Sequence, residues 1–414
     1  MTTEAGLVMR WVGADARERI ARARMVSYSP GVNAMEHYRE SVDIDLASPA
    51  RQFLLAELDG EPVGTATSLD MTMWVRGAAL PCQGVAYVGT SKSHRRISEG
   101  PAKGIATRLM HETLRLAKER GHVLSALMPF RGSYYEHFGY GFVEGRTEWT
   151  VPLSVLPEGS FAGFRFYREE DFAGLAACHR RIVEKGQCDI ERPDSVWRYY
   201  LKKAQEGHLI IDRPEKTGPV RGWMTMLQYS ENGKDILKVM DRGADSAEGL
   251  QRQLCYLGSL RDQYSAVTLI MPGDLALNWM LKERQVPHRM VNHAHAVTRP
   301  FTRMQVRILD HKRYLDALRL PESAEGSTFV AVQEPEGWEI KFRIDIDNGR
   351  CEATETSAPA DATIPAHIWA AVATGHLRAS EAWRLGLFSC RNPDAARVLD
   401  ILAEGPRPFT HEYF

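Results

Sequence analysis

The amino-acid sequence predicts an α/β (α+β) chain of three blocks, 1–150, 151–298 and 299–414. In the first block, strand-like alternation is interleaved with apolar residues at helical spacing. The same order of hairpin, strand, helix and strand recurs faintly in the second, which reads as a duplicated fold. The third carries three successive alternating strands with helices on either side. A length of 414 residues fits two or three domains of usual size.

The elements follow in order. Residues 14–27 and 32–42 have short apolar faces and are expected to be helices. Gln52–Leu58, the turn Asp59-Gly60-Glu61-Pro62 and Val63–Leu69 form a strand–turn–strand unit. Gln83–Thr90 is a further strand. After a polar loop with Gly and Pro, Ile105, Leu109, Thr113, Leu116 and Ala117 mark one face of a helix that Gly121 stops. Val123–Met128 is a buried strand, and a short helix carrying Tyr135 ends at Gly139. In the second block, His208–Asp212 and Val220–Leu227 echo the first hairpin, and Asp235–Gly243 echoes the strand 83–90. A helix near 246–261 and the strand Ala266–Met271 complete that copy. In the third, a strand at 304–309 and a helix at 310–319 precede strands near 327–333, 338–346 and 350–356. Helices near 365–374 and 393–403 follow. The closing Pro406–Phe414 mixes prolines with aromatics and is expected to dock rather than fray.

Composition excludes several classes. With 44% apolar residues the chain can bury several cores, so wholesale disorder is excluded. Lys and Arg number 52 against 53 Asp and Glu, which argues against a global polyanion-binding surface and hence against a nucleic-acid partner. The six cysteines are spread out with no C-x-x-C, so reduced, mostly buried thiols are expected rather than a zinc ribbon or a redox pair. No basic-then-apolar leader opens the sequence and no apolar run approaches the ~20 residues that span a bilayer, so a cytoplasmic protein without a membrane partner is expected. His293-Ala294-His295 lacks further ligands at metal spacing, and no metal is expected.

Chemistry concentrates in two stretches. The loop 91–103, with Lys92, His94, Arg95, Arg96 and Lys103, enters a helix through Gly104-Ile105-Ala106. A helix N-terminus presents unpaired N–H groups that suit a phosphate, glycine lets it approach, and basic side chains complement its charge. The alternative is a solvated basic loop ahead of a helix. Neither a Walker A loop nor a G-x-G-x-x-G fingerprint is present. The second stretch is Met128–Phe142, where Tyr134 and Tyr135, taken alone, read as packing residues.

Together the stretches resemble the GCN5-related N-acetyltransferase (GNAT) family. Gly104-Ile105-Ala106 is similar to the family's [RQ]-x-x-G-x-[GA] loop, and Tyr135-Glu136-His137-Phe138-Gly139-Tyr140 to its Tyr-x-x-x-Gly-[FY]. One departure is that Pro101 stands where Arg or Gln is expected, and Ile97–Ala102 lengthen the loop between Arg96 and Lys103. The whole layout resembles the enhanced intracellular survival (Eis) family. That resemblance implies tandem GNAT folds at 1–150 and 151–298, the second lacking the cofactor signature, then a sterol-carrier-protein-like domain at 299–414.

The resemblance further implies an N-acetyltransferase that uses acetyl-CoA as donor. Val88, Gly89 and Thr90 would meet the pantetheine arm, and Lys103, Gly104, Ile105, Ala106 and Thr107 the pyrophosphate, with Arg95 and Arg96, set farther off by the longer loop, as further cofactor-binding candidates. Phe130 and Arg131 would flank the donor. Tyr135 would act as general acid and the C-terminal carboxylate of Phe414 as general base. The acceptor would be a cationic, multi-amine small molecule of aminoglycoside type or a lysine side chain. Glu412, Glu36 and Asp43 are candidates to hold its ammonium groups, with a solvated helix face as the alternative for Glu36 and Asp43. A homo-oligomer, a hexamer by resemblance, is expected. The rival class is a non-catalytic acyl-CoA- or lipid-binding protein, which would need neither Tyr135 nor Phe414.

Overall fold

The structure, a computed structural model, describes residues 6–28, 31, 33–95, 104–193, 196–197, 200–202, 208–215, 217–231, 233–286, 288 and 294–414. Its strands run β1 Leu7–Val12, β2 Arg51–Leu58, β3 Glu61–Val75, β4 Ala78–Thr90, β5 Leu124–Leu127 and β6 Gly141–Phe142. There follow β7 Gly145–Pro152, β8 Phe164–Phe166, β9 Gln187–Ile190, β10 His208–Asp212, β11 Gly222–Glu231, β12 Lys234–Ala244 and β13 Ala266–Pro272. The last are β14 Val297–Thr302, β15 Gln305–Ile308, β16 Gly326–Gln333, β17 Glu339–Asp347, β18 Arg350–Glu355, β19 Ala362–Pro365 and β20 Ser389–Cys390. The helices that matter to the site are α1 Arg17–Ser27, α2 Ala34–Leu46, α3 Ile105–Glu119, α4 Gly132–Glu136, α5 Phe172–Val183 and α6 Ala247–Gly258.

Among the described residues the strands form three sheets. The first has the order β1-β2-β3-β4-β5-β15-β6, with β9 paired to the far end of β3. The second runs β14-β7-β13-β12-β11-β10-β8 and the third β18-β17-β16-β19-β20. Two of these sheets draw strands from distant sequence. β9 and β15 complete the first sheet, and β7 and β14 form one side of the second. The chain is therefore laced together by shared strands as well as by packing.

Local chemistry explains the hairpin that sets β4. Strand β3 continues beyond the expected end at Leu69, because Met71-Thr72-Met73-Trp74-Val75 keeps alternating against Ala78–Cys82. Arg76 (φ 48°) and Gly77 (φ 77°) both adopt the left-handed conformation, as a two-residue hairpin turn with the right twist requires. Helix α3 buries Ile105, Leu109, Met110, Thr113, Leu114 and Ala117 on the first sheet, the face its spacing predicts.

The second unit repeats the first in detail. A bulge interrupts the β3–β4 register between Thr65 and Thr67, and another interrupts β11–β12 between Thr225 and Met226. Each bulged strand then pairs in parallel with the strand after the helix, β4 with β5 and β12 with β13. The largest core joins the first sheet to the third: Met73, Leu124 and Val306 pack with Val330, Ile344 and Trp369. Helix 366–373 approaches β6 so closely that any Cβ on Gly141 would collide with the His367 carbonyl. The six cysteines are unpaired and five are buried. No helix among the described residues is long and apolar enough to cross a membrane.

Candidate active site

The site begins with a strand pair that comes apart. β4 and β5 are paired only through Cys82–Val85 with Leu124–Leu127, while β4 runs on to Thr90. The bulge at this point leaves Tyr87 at φ 51° and turns the last residues of β4 away from β5. A wedge opens between the two strands, walled on one side by half-buried Val88, Gly89 and Thr90. The Thr90 hydroxyl is buried with no partner, a polar group still to be satisfied by something lying along the strand. Gly89 has to be glycine, since a Cβ there would lie 2.6 Å from Ser27 Cβ and 2.9 Å from the Tyr28 ring.

Beneath the wedge lies a polar network that sequence reading did not find. Gln83, wholly buried, donates from Nε2 to Ser68 Oγ (2.8 Å) and to the Thr113 carbonyl (2.9 Å). Its Oε1 accepts from Ser125 Oγ (2.9 Å), which in turn lies 2.7 Å from the Tyr140 hydroxyl. The network ties β3, β4, β5 and α3 together where the strands are about to part. A second buried group, Arg24, joins α1 to the bulge. It pairs with Asp45 (2.7 Å), donates to Thr67 Oγ1 (3.1 Å) and lies flat on the Tyr87 ring, 3.7 Å from its centre. The Tyr87 hydroxyl sits 3.0 Å from Ser41 Oγ. These long-range contacts carry no sequence spacing that would have revealed them.

At the open end of the wedge, Gly104 (φ 62°) starts α3 in the left-handed conformation. Arg108 N–H is the first to bond back within the helix, to the Gly104 carbonyl, so the N–H groups of Ile105, Ala106 and Thr107 lead the turn. No acidic residue stands in that turn, and Arg95 is exposed ahead of it. An anionic group suits this end. Arg96, Pro101 and Lys103 lie outside the described residues.

Tyr135 sits on α4, in a cluster with Val85, Met110, Leu114, Leu127, Phe138 and Tyr140. Its ring meets Tyr134 edge-on at 5.0 Å and Phe130 at 6.4 Å. Burial, then the neighbouring Tyr134, raises the Tyr135 phenol well above its usual range, so it stays protonated at neutral pH. Phe130 is 72% exposed at the mouth, and Arg131 is exposed where α4 begins.

Phe414 arrives from the far end of the chain. Its ring lies 3.2 Å from where a Gly84 Cβ would stand, beside the Met71 side chain that covers that glycine. Gly84 and Val85 point to opposite faces of β4, so Phe414 and Tyr135 approach the wedge from opposite sides of the sheet. The docking expected for the tail is present. Phe409 N–H donates to the Gln187 carbonyl (3.0 Å), and His411 N–H and Nδ1 bond the Asp189 carboxylate (2.9 and 2.7 Å).

The three acidic residues expected to hold an acceptor are each occupied by an arginine. Glu412 is 4% exposed and accepts from Arg192 Nε at 2.6 Å, with His179 Nε2 at 3.4 Å. Asp43 pairs with Arg17 (2.5 Å) and Glu36 with Arg39 (3.5 Å) on the exposed faces of α2 and α1.

The second unit lacks such a wedge. Arg242 reaches from β12 to Gln253 Oε1 on α6 (2.9 Å) and Met271 Sδ on β13 (3.5 Å), filling the place where those strands diverge. Gly243 is covered by the Trp223 ring. Ser246 Oγ already accepts from the Gly249 N–H at the start of α6, and Asp245 is paired with Arg221 (3.0 Å). One of the leading N–H groups of α6 is thus already capped, unlike those of α3. Among the described residues no group of three or more His, Cys, Asp or Glu side chains converges on a metal site.

Comparison with known proteins agrees with this geometry. Residues 20–143 match the acetyltransferase (GNAT) domain family, and residues 312–411 the sterol carrier protein domain family. A protein described as an uncharacterized N-acetyltransferase from Streptomyces avermitilis is 24% identical over 368 residues, 82% of each chain. N-acetyltransferase Eis of Mycobacterium tuberculosis is 24% identical over 358 residues, again 82% of each. Among solved structures, a GCN5-related N-acetyltransferase from Anabaena variabilis superimposes with a TM-score of 0.82 at 17% identity, covering 98% of this chain and all of the other. Eis1 of Mycobacterium abscessus gives 0.78 at 19% identity, covering 99% and 100%.

Proposed function

Taking as premise that the chain is an acetyltransferase of the Eis-like GNAT family, we propose that it moves the acetyl group of acetyl-CoA directly to an amine of a cationic, multi-amine small molecule. The observation that carries this reading is the parting of β4 from β5 beside Tyr135, with the N-terminus of α3 open at the same end. GNAT acetyltransferases use acetyl-CoA as donor, and the residues here fit it. The strand edge Val88–Thr90, with its unsatisfied Thr90 hydroxyl, suits the amide-bearing pantetheine arm. The N–H groups of Ile105, Ala106 and Thr107, approached over Gly104, suit a pyrophosphate, with exposed Arg95 adding charge; Arg96 and Lys103 join this proposal by sequence alone. Phe130 and Arg131 stand at the rim.

In this mechanism a neutral amine attacks the thioester carbonyl, the new C–N bond forms, and the C–S bond breaks to release a thiolate. Tyr135, kept protonated by burial, gives its proton to that sulfur. The carboxylate of Phe414, a residue whose ring lies on the other face of the sheet, takes the proton from the attacking amine, directly or through water. No enzyme nucleophile is required. A cytoplasmic homo-oligomer, hexameric by resemblance, belongs to the same proposal; a net charge of −1 does not oppose self-association.

The test is thiol release from acetyl-CoA with a panel of aminoglycosides, polyamines and lysine peptides. Wild-type protein should turn over multi-amine small molecules. Tyr135→Phe and a chain ending at residue 413 should each lose about 100-fold or more in kcat, as removal of a positioned acid or base does. Turnover restricted to lysine peptides would move the acceptor to proteins. Unchanged kcat in both variants would overturn the assigned roles.

A further inference from the structure

We infer that Asp189, Arg192, His411 and Glu412 form a two-point clamp whose work is to position the Phe414 carboxylate, and that Glu412 is a positioning residue rather than an acceptor ligand. The inference rests on the reading of Phe414 as base. Its first point is Asp189, wholly enclosed, whose carboxylate receives both the backbone N–H and the Nδ1 of His411. Against the upward push of burial, His411 holds that carboxyl below its usual range, as a bonded anion would be. The second point is Arg192, with a side chain 0% exposed. It grips Glu412 through Nε (2.6 Å) and Asp241 through Nη1 (3.1 Å), and lies over the rings of Trp197 (4.3 Å) and Tyr200 (3.8 Å). Asp241 is itself fixed by Trp223 Nε1 at 2.9 Å.

The clamp connects the tail to the wedge because its base is part of the first sheet. β9, Gln187–Ile190, pairs with β3 through Met73, Trp74 and Val75, and Glu191 N–H bonds the Thr72 carbonyl (3.0 Å). That same β3 carries Met71, which covers Gly84 where the Phe414 ring lies. Tyr413, between the clamp and the terminus, is 62% exposed, so the side chain just before Phe414 is not buried with it. Chain geometry then sets the effect. Two residues reach about 7 Å at most, so a fixed Glu412 confines the terminal carboxylate to a small volume. Released back to Thr410, whose carbonyl Arg146 still holds, the end would have four residues and about 14 Å of reach. The accessible volume grows about eightfold by the cube of those lengths, and the chance of correct placement falls accordingly. A residue that bound the acceptor would change KM for the amine. A residue that holds the base changes kcat.

The experiment compares the full-length protein with a triple variant, Asp189→Asn, His411→Ala, Glu412→Gln, which loosens both points without leaving Asp189 or Glu412 as an unpaired buried anion. A double variant, Asp189→Asn with His411→Asn, whose amide stands where Nδ1 does, keeps a neutral bonded pair at the first point and leaves the second intact. For each, kcat, KM for the amine, KM for acetyl-CoA and hydrogen exchange of amides 409–413 are measured. The clamp predicts about a tenfold fall in kcat in the triple variant, both KM values within about twofold, faster exchange confined to the tail, and most of kcat kept in the double variant. Unchanged kcat in the triple variant would overturn the inference, whether or not the tail loosens. A raised amine KM at unchanged kcat would also overturn it and make Glu412 an acceptor ligand. Should the triple variant lose exchange protection in β3 and β4 as well, the double variant decides: a fall of tenfold there, with the pair still bonded, would refute positioning. A chain ending at residue 413 separates the two claims. If it keeps full kcat, the reading of Phe414 fails; if it is inactive while the triple variant turns over normally, only the clamp fails.

Discussion

Replacing Gln83 by Leu tests whether the polar network under the wedge sets the place where β4 and β5 part. The amide makes three bonds inside the protein, to Ser68 Oγ, the Thr113 carbonyl and Ser125 Oγ, at 2.8–2.9 Å. Each is worth about 1 kcal/mol net. Ser125 keeps its existing bond to Tyr140, 2.7 Å away, and Thr113 O remains a helix acceptor, which limits the loss. The expected cost is therefore about 2–3 kcal/mol, whereas Tyr140→Phe, which removes one bond, should cost about 1 kcal/mol. Because each single variant leaves Ser125 one partner and the double leaves its buried hydroxyl none, the double variant should exceed additivity by about 1 kcal/mol. Three linked sheets need not unfold in one step, so the readout is segment-resolved hydrogen exchange. The loss should appear in amides 83–86 and 124–127 and not in β16–β18, with a raised KM for acetyl-CoA. A change below about 0.5 kcal/mol in those segments, or an equal loss in the third sheet, would refute the reasoning.

Other expectations follow from single positions. Gly104→Val places a β-branched side chain at φ 62° and over the helix end; it should cost about 1–2 kcal/mol locally and raise the KM for acetyl-CoA about tenfold, measured by steady-state kinetics. Glu36→Gln and Asp43→Asn, both exposed and held by arginines, should leave the amine KM within about twofold. His376 is held down to about 4 from 6.5, first by burial and then by Arg407, whose guanidinium bonds its carbonyl. The unfolded chain thus binds the extra proton more readily, so stability is full above about pH 6.5 and is lost as pH falls toward 4. That loss should be about 2 kcal/mol, partial exposure considered, and His376→Leu should flatten it in denaturant titrations at pH 4.5 and 7.

Much of this architecture was legible because it is local. The strands 339–347 and 350–355 alternate, those at 52–58 and 208–212 are short apolar runs, and α3 announces itself by spacing and by its bounding glycines. Tyr135 and Gly104 were legible for the same reason, as they sit at fixed offsets from glycines that turn the chain at φ 77° and 62°. The parts that escaped depend on partners far away. Gln187-Cys188-Asp189-Ile190 does not read as a strand; its Cys188 has φ 55°, and only the distant tip of β3 makes it one. β15 was expected to lead the third block, yet it slots between β5 and β6 in the first sheet. Glu412 read as a free acid because nothing in its neighbourhood in sequence reveals that Arg192 lies 2.6 Å away. The plug in the second unit escaped for the same reason, since Arg242 reaching across to Met271 needed three-dimensional contact to be seen.

The account stands on one claim: a single donor site per chain, in the wedge of the first unit. The measurement is an equilibrium titration with acetyl-CoA, followed by hydrogen exchange of the complex. It should give one equivalent bound per chain, with protection gained in 88–90 and 104–107. Two equivalents, protection centred on 242–250, or no uptake at all would contradict it.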